Sequence, residues 1–295
     1  MPRPQIIERK NRLVMNSNQS GTLYIVATPI GNLGDMVPRA VEILQSVTAI
    51  ACEDKRHSKK LLDHFAIDKP LFPYHDHSDK KISDSIIARL QTGDDIALIS
   101  DAGTPLISDP GYRLVLAARV AGIRVIPVPG ACAAIAALSV AGLPTDRFRF
   151  VGFLPAKTTQ RKKVLQELMA VAETTVFYEA PHRILETLHD AVAIFGPQHS
   201  GFIAREVSKT FETYLHGTLS ELVTAVENDS NQQRGEIVLV LAGRETSDNS
   251  VTVDGEKILR LLLAELPAAK AAALTAKITG GDKKQFYQLA LALKD

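Results

Sequence analysis

The 295-residue sequence predicts an α/β protein of two α/β domains followed by a small helical appendage. Three observations carry this expectation. Through the first half, short apolar runs alternate with amphipathic stretches, the rhythm of βαβ units that build a parallel sheet. After "PVPGACAAIAALSVAGLP" the apolar runs crowd together and read as partly antiparallel strands of a second sheet. Beyond residue 250 the chain turns rich in alanine and leucine, with breaks at Pro267 and Gly280-Gly281, the pattern of three short helices.

In chain order, residues 1–20 read as a disordered tail: they are basic and lack the apolar run and small-residue cleavage site of a secretory signal. Thr22–Ala27 predicts the first strand, and Val37, Ala40, Val41, Ile43 and Leu44 an amphipathic helix after it. Val47–Ala51 is a second strand, "CEDKRHSKKLL" a short helix, Ile82–Leu90 a helix, Ile96–Ser100 a strand, Tyr112–Ala121 a helix and Arg124–Val128 a strand. The first domain is thus placed at 21–143. In the second, at 144–243, strands are expected at Arg149–Phe153, Thr175–Tyr178, Gly201–Arg205, Thr213–Leu215 and Ile237–Leu241, with "PAKTTQRKK" and "EAPHRILETLHDAV" opening helices. "RETSDNS", 244–250, is a polar linker and 251–295 the helical appendage.

Lys plus Arg number 34 and Asp plus Glu 33, a formal net charge of +1, so any nucleic-acid contact must come from a local basic surface. Cys52 and Cys132 stand far apart in apolar surroundings and read as reduced thiols of a cytoplasmic protein rather than a disulfide framework. No apolar run approaches the roughly 18 residues that span a bilayer.

"ALISDAGTPLISDPG", residues 97–111, is a strand that stops at an aspartate and then uses glycine and proline twice each. Pro105 and Pro110 lack backbone donors, and Gly103 and Gly111 permit positive φ, so this is a shaped loop at a strand's carboxyl end. Ligands of open α/β sheets bind at such ends. A tight surface turn, with Asp101 bonding its own loop amides, is the alternative. The slot after the first strand holds "TPIGNLGD", which fails the G-x-G-x-x-G pattern, and no G-x-x-x-x-G-K-[ST] is present. A sheet with ligand-type loops and no pyrophosphate cradle suits a nucleoside ligand without phosphate, such as S-adenosylmethionine.

"LYIVATPIGNLGD", "AIACEDKRHSKKLL", "ALISDAGTPLISDPG", "VIPVPGACAAIAALSVAGLPTDRFRFVGFLP", "FYEAPHR" and "AREVSKTFE" follow one another in an order that resembles the tetrapyrrole methylase superfamily, from about Gly21 to Gly243. The resemblance implies two α/β domains with a cofactor trough between them and a homodimer. It also implies transfer of a methyl from S-adenosylmethionine to a cytidine ribose 2′-hydroxyl in the decoding region of small-subunit ribosomal RNA. Methylation of a tetrapyrrole ring carbon, or a non-enzymatic ribosome-binding role, are the competing readings; the basic "KTTQRKK" and the retained loop geometry count against them in turn.

By the same resemblance Ser100, Asp101 and Gly103 approach the methionine end of the cofactor, with Leu106 and Ile107 closing over it. Pro29 and Ile30 end the first strand, Cys132 and Ala133 open a helix whose amides could meet the cofactor carboxylate, and Tyr178 ends a strand of the second domain. Gly235, Glu236 and Val238 fall near the adenine. Core packing explains the apolar members equally, Cys132 above all.

For the substrate side, "CEDKRH" places Glu53, Asp54, Arg56 and His57 at a strand end, where a helix start would also want acids. His75 and His77 stand two apart, but without a further ligand pair at metal spacing they read as RNA contacts and no metal site is expected. Lys157, Arg161, Lys162 and Lys163 form a basic cluster able to follow phosphates, or a solvated helix face, and Arg183 joins them from "FYEAPHR". Glu179 is assigned as general base, with Lys209 or Arg205 stabilising the developing alkoxide; an ion pair among them that shapes the cleft is the alternative.

Overall fold

The computed structural model describes residues 20–75, 80–244 and 253–293. The expected tail, His77 and most of the linker lie outside the described residues. Two compact units are present: one carries both sheets and ends at Ala242, and the other begins at Gly243.

The first sheet holds β1 (Thr22–Val26), β2 (Ala49–Cys52), β3 (Leu71–Pro73), β4 (Ile96–Ile99) and β5 (Arg124–Val128). It is wholly parallel in the order β3-β2-β4-β1-β5. Its central strands are nearly continuous apolar runs because both faces are covered. Leu44, Val47, Ile50 and Leu62 pack on one side with α1 (Pro38–Ser46) and α2 (Lys55–His64). Leu23, Leu90, Ile96, Leu98 and Leu114 pack on the other with α3 (Lys80–Gln91) and α4 (Tyr112–Val120). β3 is a strand absent from the sequence reading; at three residues, ending in Pro73, it occupies the sheet edge, where a missing donor is tolerated.

α5 (Ala133–Val140) is apolar around most of its circumference and packs Ala134, Ala137 and Leu138 on the second sheet, joining the two halves in one unit. That sheet comprises β6 (Phe148–Phe153), β7 (Thr174–Glu179), β8 (Ser200–Arg205), β9 (Thr213–Thr218) and β10 (Ile237–Leu241), ordered β6-β7-β10-β8-β9. Only β6 and β7 are parallel; the other pairings are antiparallel, as the crowded apolar runs implied. Its far face is covered by α6 (Thr158–Leu168), α7 (Ile184–Phe195) and α8 (Leu219–Asn228) through Leu165, Phe177, Ile184, Leu188, Leu222 and Leu239.

The second unit is three helices, α9 (Val253–Leu263), α10 (Ala268–Thr279) and α11 (Lys283–Ala292), closed around Leu259, Ala271, Ala272, Phe286 and Ala290. Gly280 ends α10 in the left-handed conformation, φ +72°, and Asp282 caps α11 by accepting from the Lys284 and Gln285 amides. Among the described residues no helix is long and apolar enough to cross a membrane.

Candidate functional site

Because β4 lies directly beside β1, the loops that follow them emerge together at the carboxyl edge of the first sheet. The main chain ties them: Thr28 N–H donates to the Gly103 carbonyl at 2.8 Å and Gly103 N–H to the Thr28 carbonyl at 3.1 Å. The Thr28 hydroxyl donates to the Ser100 carbonyl at 3.2 Å, and the Thr104 hydroxyl reaches the Ala131 carbonyl at 3.0 Å, pinning the same loop to the turn before α5. Leu106 and Ser108 are non-glycine residues held at φ +74° and +66°. Such conformations persist where surrounding contacts over-determine them, and they gather at functional loops.

The second sheet supplies the facing wall. The Tyr178 hydroxyl accepts the Ala134 amide at 3.3 Å, and its ring meets Phe150 and Phe153 edge-on at 5.0 and 5.8 Å. Burial pushes the Tyr178 phenol well above its usual value, so it stays neutral. After β8, Glu206 accepts Lys209 Nζ at 2.9 Å and the Glu236 amide at 2.8 Å, while Lys209 also reaches Glu236 Oε2 at 3.3 Å. Although burial opposes it, these bonds hold the Glu206 carboxyl below its ordinary value; the same acids keep Lys209 raised against burial.

Between the walls lies a cavity of about 430 Å³. Of the residues expected at a cofactor, Ile30, Asp101, Gly103, Ile107 and Ala133 line it from the first half, and Tyr178, Gly235, Glu236 and Val238 from the second. Pro29, Ser100, Leu106 and Cys132 are not among the residues that line it. Ser100 is buried, its hydroxyl within 3.2 Å of the Ala102 carbonyl and 3.3 Å of the Gly103 carbonyl. Cys132 is a half-buried free thiol at the N-cap of α5, and Cys52 is fully buried, its thiol pushed up by burial.

The catalytic and substrate residues divide differently. Glu179 touches the cavity, yet its carboxylate is turned inward. It accepts the Thr187 hydroxyl at 2.7 Å and the Ala180 amide at 2.8 Å, pairs with Arg183 at 3.3 Å, and has no exposed side-chain surface. This corrects its assignment as general base, since a carboxylate without exposed surface cannot reach a substrate hydroxyl. Arg183 is corrected with it: one nitrogen donates to the Leu154 carbonyl at 2.6 Å and the side chain braces Glu179. Arg205 is buried and spends its guanidinium on Thr213 Oγ1 at 3.0 Å and the Phe211 carbonyl at 2.8 Å, so it stabilises a loop rather than an alkoxide.

Arg161 is the clearest departure. It is 1 % exposed and bonds Asp190 at 2.7 Å, so it is a core residue and not part of a phosphate-following surface. Lys157 and Lys163 are exposed, and Lys162 is partly so while pairing with Asp190 at 3.4 Å. Asp54 caps α2, accepting the Arg56 amide at 2.7 Å and the His57 amide at 3.3 Å, which hold its carboxyl below the usual value. Arg56, His57 and His75 are exposed. Among the described residues no group of three or more His, Cys, Asp or Glu is placed to hold a metal ion.

Sequence reasoning missed Asp109, which lines the cavity beside Ser108. Burial pushes its carboxyl up to about 6, aided by the charges of Glu53 and Asp101 and opposed by a hydrogen bond with Ser100. The signal was a repeated Ser-Asp, 100–101 and 108–109, at both ends of one loop.

Comparison with known proteins gives this geometry a family. Residues 22–223 match the model of the tetrapyrrole (corrin/porphyrin) methylases, and residues 249–294 match that of the RsmI C-terminal HTH domain. The chain is 54 % identical over 274 residues to ribosomal RNA small subunit methyltransferase I of Pseudomonas aeruginosa, covering 92 % of this chain and 97 % of that one. It is 50 % identical over 274 residues to the protein of that name from Escherichia coli O157:H7, covering 93 % and 96 %. Among solved structures, uroporphyrin-III C-methyltransferase of Thermus thermophilus shares the fold at a TM-score of 0.54 and 21 % identity, over 75 % of this chain and 94 % of that one. Cobalt precorrin-4 methyltransferase does so at 0.56 and 14 %, over 77 % and 97 %. The chain therefore belongs to the tetrapyrrole methylases, and within them to the family of ribosomal RNA small subunit methyltransferase I.

Proposed function

We propose that the protein transfers a methyl group from S-adenosylmethionine to the 2′-hydroxyl of a cytidine ribose in the decoding region of small-subunit ribosomal RNA, acting as a homodimer in the cytoplasm on the RNA or the small ribosomal particle. The observation that carries the cofactor reading is the sign of the wall. Asp101, Asp109, Glu179 and Glu236 line the cavity, and among the described residues no lysine, arginine or histidine does. A pyrophosphate would be repelled there, whereas a ligand bearing a sulfonium and an ammonium is attracted. The volume falls within the roughly 300–1,000 Å³ usual for small-molecule sites. Cys132, the N-cap of α5, makes no side-chain cap bond, and with the Ala134 amide taken by Tyr178 the other first-turn amides are the donors for the ligand's one carboxylate.

Bound in this cavity, the cofactor would supply a methyl already activated by its sulfonium. What the chain must do is hold the acceptor in line with it at roughly 3–3.5 Å and keep water out. Ile30, Ile107 and Phe153 give the cavity its apolar lining, and the tied loops after β1 and β4 fix its shape.

Substrate identity rests on the relatives named above and on charge placement. Exposed Lys157 and Lys163 lie on α6 or at its start, and α10 and α11 carry Lys270, Lys277, Lys283 and Lys284, so a phosphate backbone has cationic surfaces to follow despite the near-neutral chain. The dimer reading is supported by α4, which exposes Tyr112, Leu116 and Val120 at successive turns of one face. Mass spectrometry of small-subunit RNA from cells lacking this protein tests the proposal. One ribose methyl should disappear from a cytidine and return when the gene is restored; RNA with every ribose methyl retained would overturn it.

A further inference from the structure

The 2′-hydroxyl of a ribose is a poor nucleophile, so the transfer needs a group to take its proton. Four acidic residues line the cavity, and three are engaged by a cation or a main-chain amide. Asp101 accepts the Asp54 amide at 3.2 Å, Glu179 is buried against Thr187 and Arg183, and Glu236 pairs with Lys209 at 3.3 Å. Asp109 differs in its partner, the neutral Ser100 hydroxyl rather than a cation or a main-chain amide. It follows Ser108, whose hydroxyl packs 3.3 Å from where a Cβ on Gly152 of β6 would stand, and it precedes Pro110 and Gly111 at φ +138°. The loop from the first sheet thus comes close to the second at the residue before this aspartate.

We propose that Asp109 is the general base of the methyl transfer. Its carboxylate takes the ribose hydroxyl proton as the ribose oxygen bonds the methyl carbon. The carbon–sulfur bond breaks with its electron pair staying on sulfur. The inference rests on the ribose reading above. The groups around the carboxylate suit the role: Ser100 holds it by a hydrogen bond, Glu53 and Asp101 add like charge from the loops after β2 and β4, and the neutral Tyr178 lies toward the second sheet. Burial and like charge together bring its proton affinity to about 6, close to where a base works best near neutral pH.

The test uses full-length Asp109→Asn and wild-type protein with small ribosomal subunits from cells lacking the protein. Single-turnover rates of wild type should fall on the acid side with an inflection near pH 6. The Asn variant should be slower by roughly 10²–10⁴-fold and lose that inflection. Calorimetry should find a loss of S-adenosylmethionine affinity far smaller than the loss of rate, since the variant keeps shape and polarity and removes only one of the wall's acidic charges. Carbon-13 NMR of aspartate-labelled protein without substrate should show one carboxyl titrating near pH 6 that is missing from the variant. An Asn variant at wild-type rate, an inflection that survives the substitution, or a rate loss matched by lost cofactor affinity would each overturn the proposal. Wild-type protein that places no methyl on a ribose overturns the parent reading and this one together.

Discussion

Lys209 lies across Gly31: a Cβ built on Gly31 would stand 2.3 Å from Lys209 Cγ and 2.7 Å from its Cε. A lysine stem from the loop after β8 is thus laid on the loop after β1, while its ammonium is held by Glu206 and Glu236. Gly31 also sits at φ +149°. Gly31→Ala is expected to cost about 1–3 kcal/mol of stability through backbone strain and displacement of Lys209. Lys209→Ala in the same background should recover part of that loss by removing the clash, which urea denaturation of the single and double variants measures.

The Arg161–Asp190 pair is expected to behave as a buried ion pair. Arg161→Ala leaves Asp190, among the described residues, with the partly exposed Lys162 as its one cation and should destabilise by about 3–5 kcal/mol. Arg161→Met with Asp190→Leu removes both charges at similar volume and should cost far less. Calorimetric melting of the three proteins checks the order; an Arg161→Ala protein of wild-type stability that had lost RNA affinity would return this residue to the binding surface.

Lys157 and Lys163 carry the opposite expectation. Reversing both to Glu should leave melting within about 0.5 kcal/mol of wild type, as exposed sites do. It should weaken RNA binding and flatten the slope of log affinity against log salt, by about 0.7–0.9 for each phosphate that is no longer neutralised. Titrations at several salt concentrations decide whether this helix face touches RNA at all.

Asp109 also marks the protein's stability against pH. Its folded carboxyl is raised from 3.8 to about 6, so the folded state binds a proton more readily than the unfolded chain. The cost of keeping it ionised is fully present above pH 6, shrinks as pH falls through 6 toward 4, and is absent below both values. Asp109→Asn should therefore melt higher than wild type at pH 7.5, with the gap closing by about pH 4. Thermal melts across that range test the sign.

Sheet composition and strand ends were legible in the sequence because buried parallel strands are continuous apolar runs, and because glycine and proline punctuate the loop after β4 without ambiguity. β3 was not, since three residues ending in proline carry no periodicity. Arg161 could have been found: it stands four and seven residues before Leu165 and Leu168 on the buried stripe of α6, so its place in the helix outweighs its charge. Glu179 shows the limit of local reading. Its strand end was clear, but Thr187, eight residues on, is what turns its carboxylate inward.

The reciprocal bonds between Thr28 and Gly103 have an evolutionary corollary. A wall joined by peptide groups is indifferent to most changes of side chain, so mutation can explore new acceptors at the rim without dismantling the donor's berth. Proteins acting on porphyrinoids and on ribosomal RNA can thus share a scaffold at 14–21 % identity.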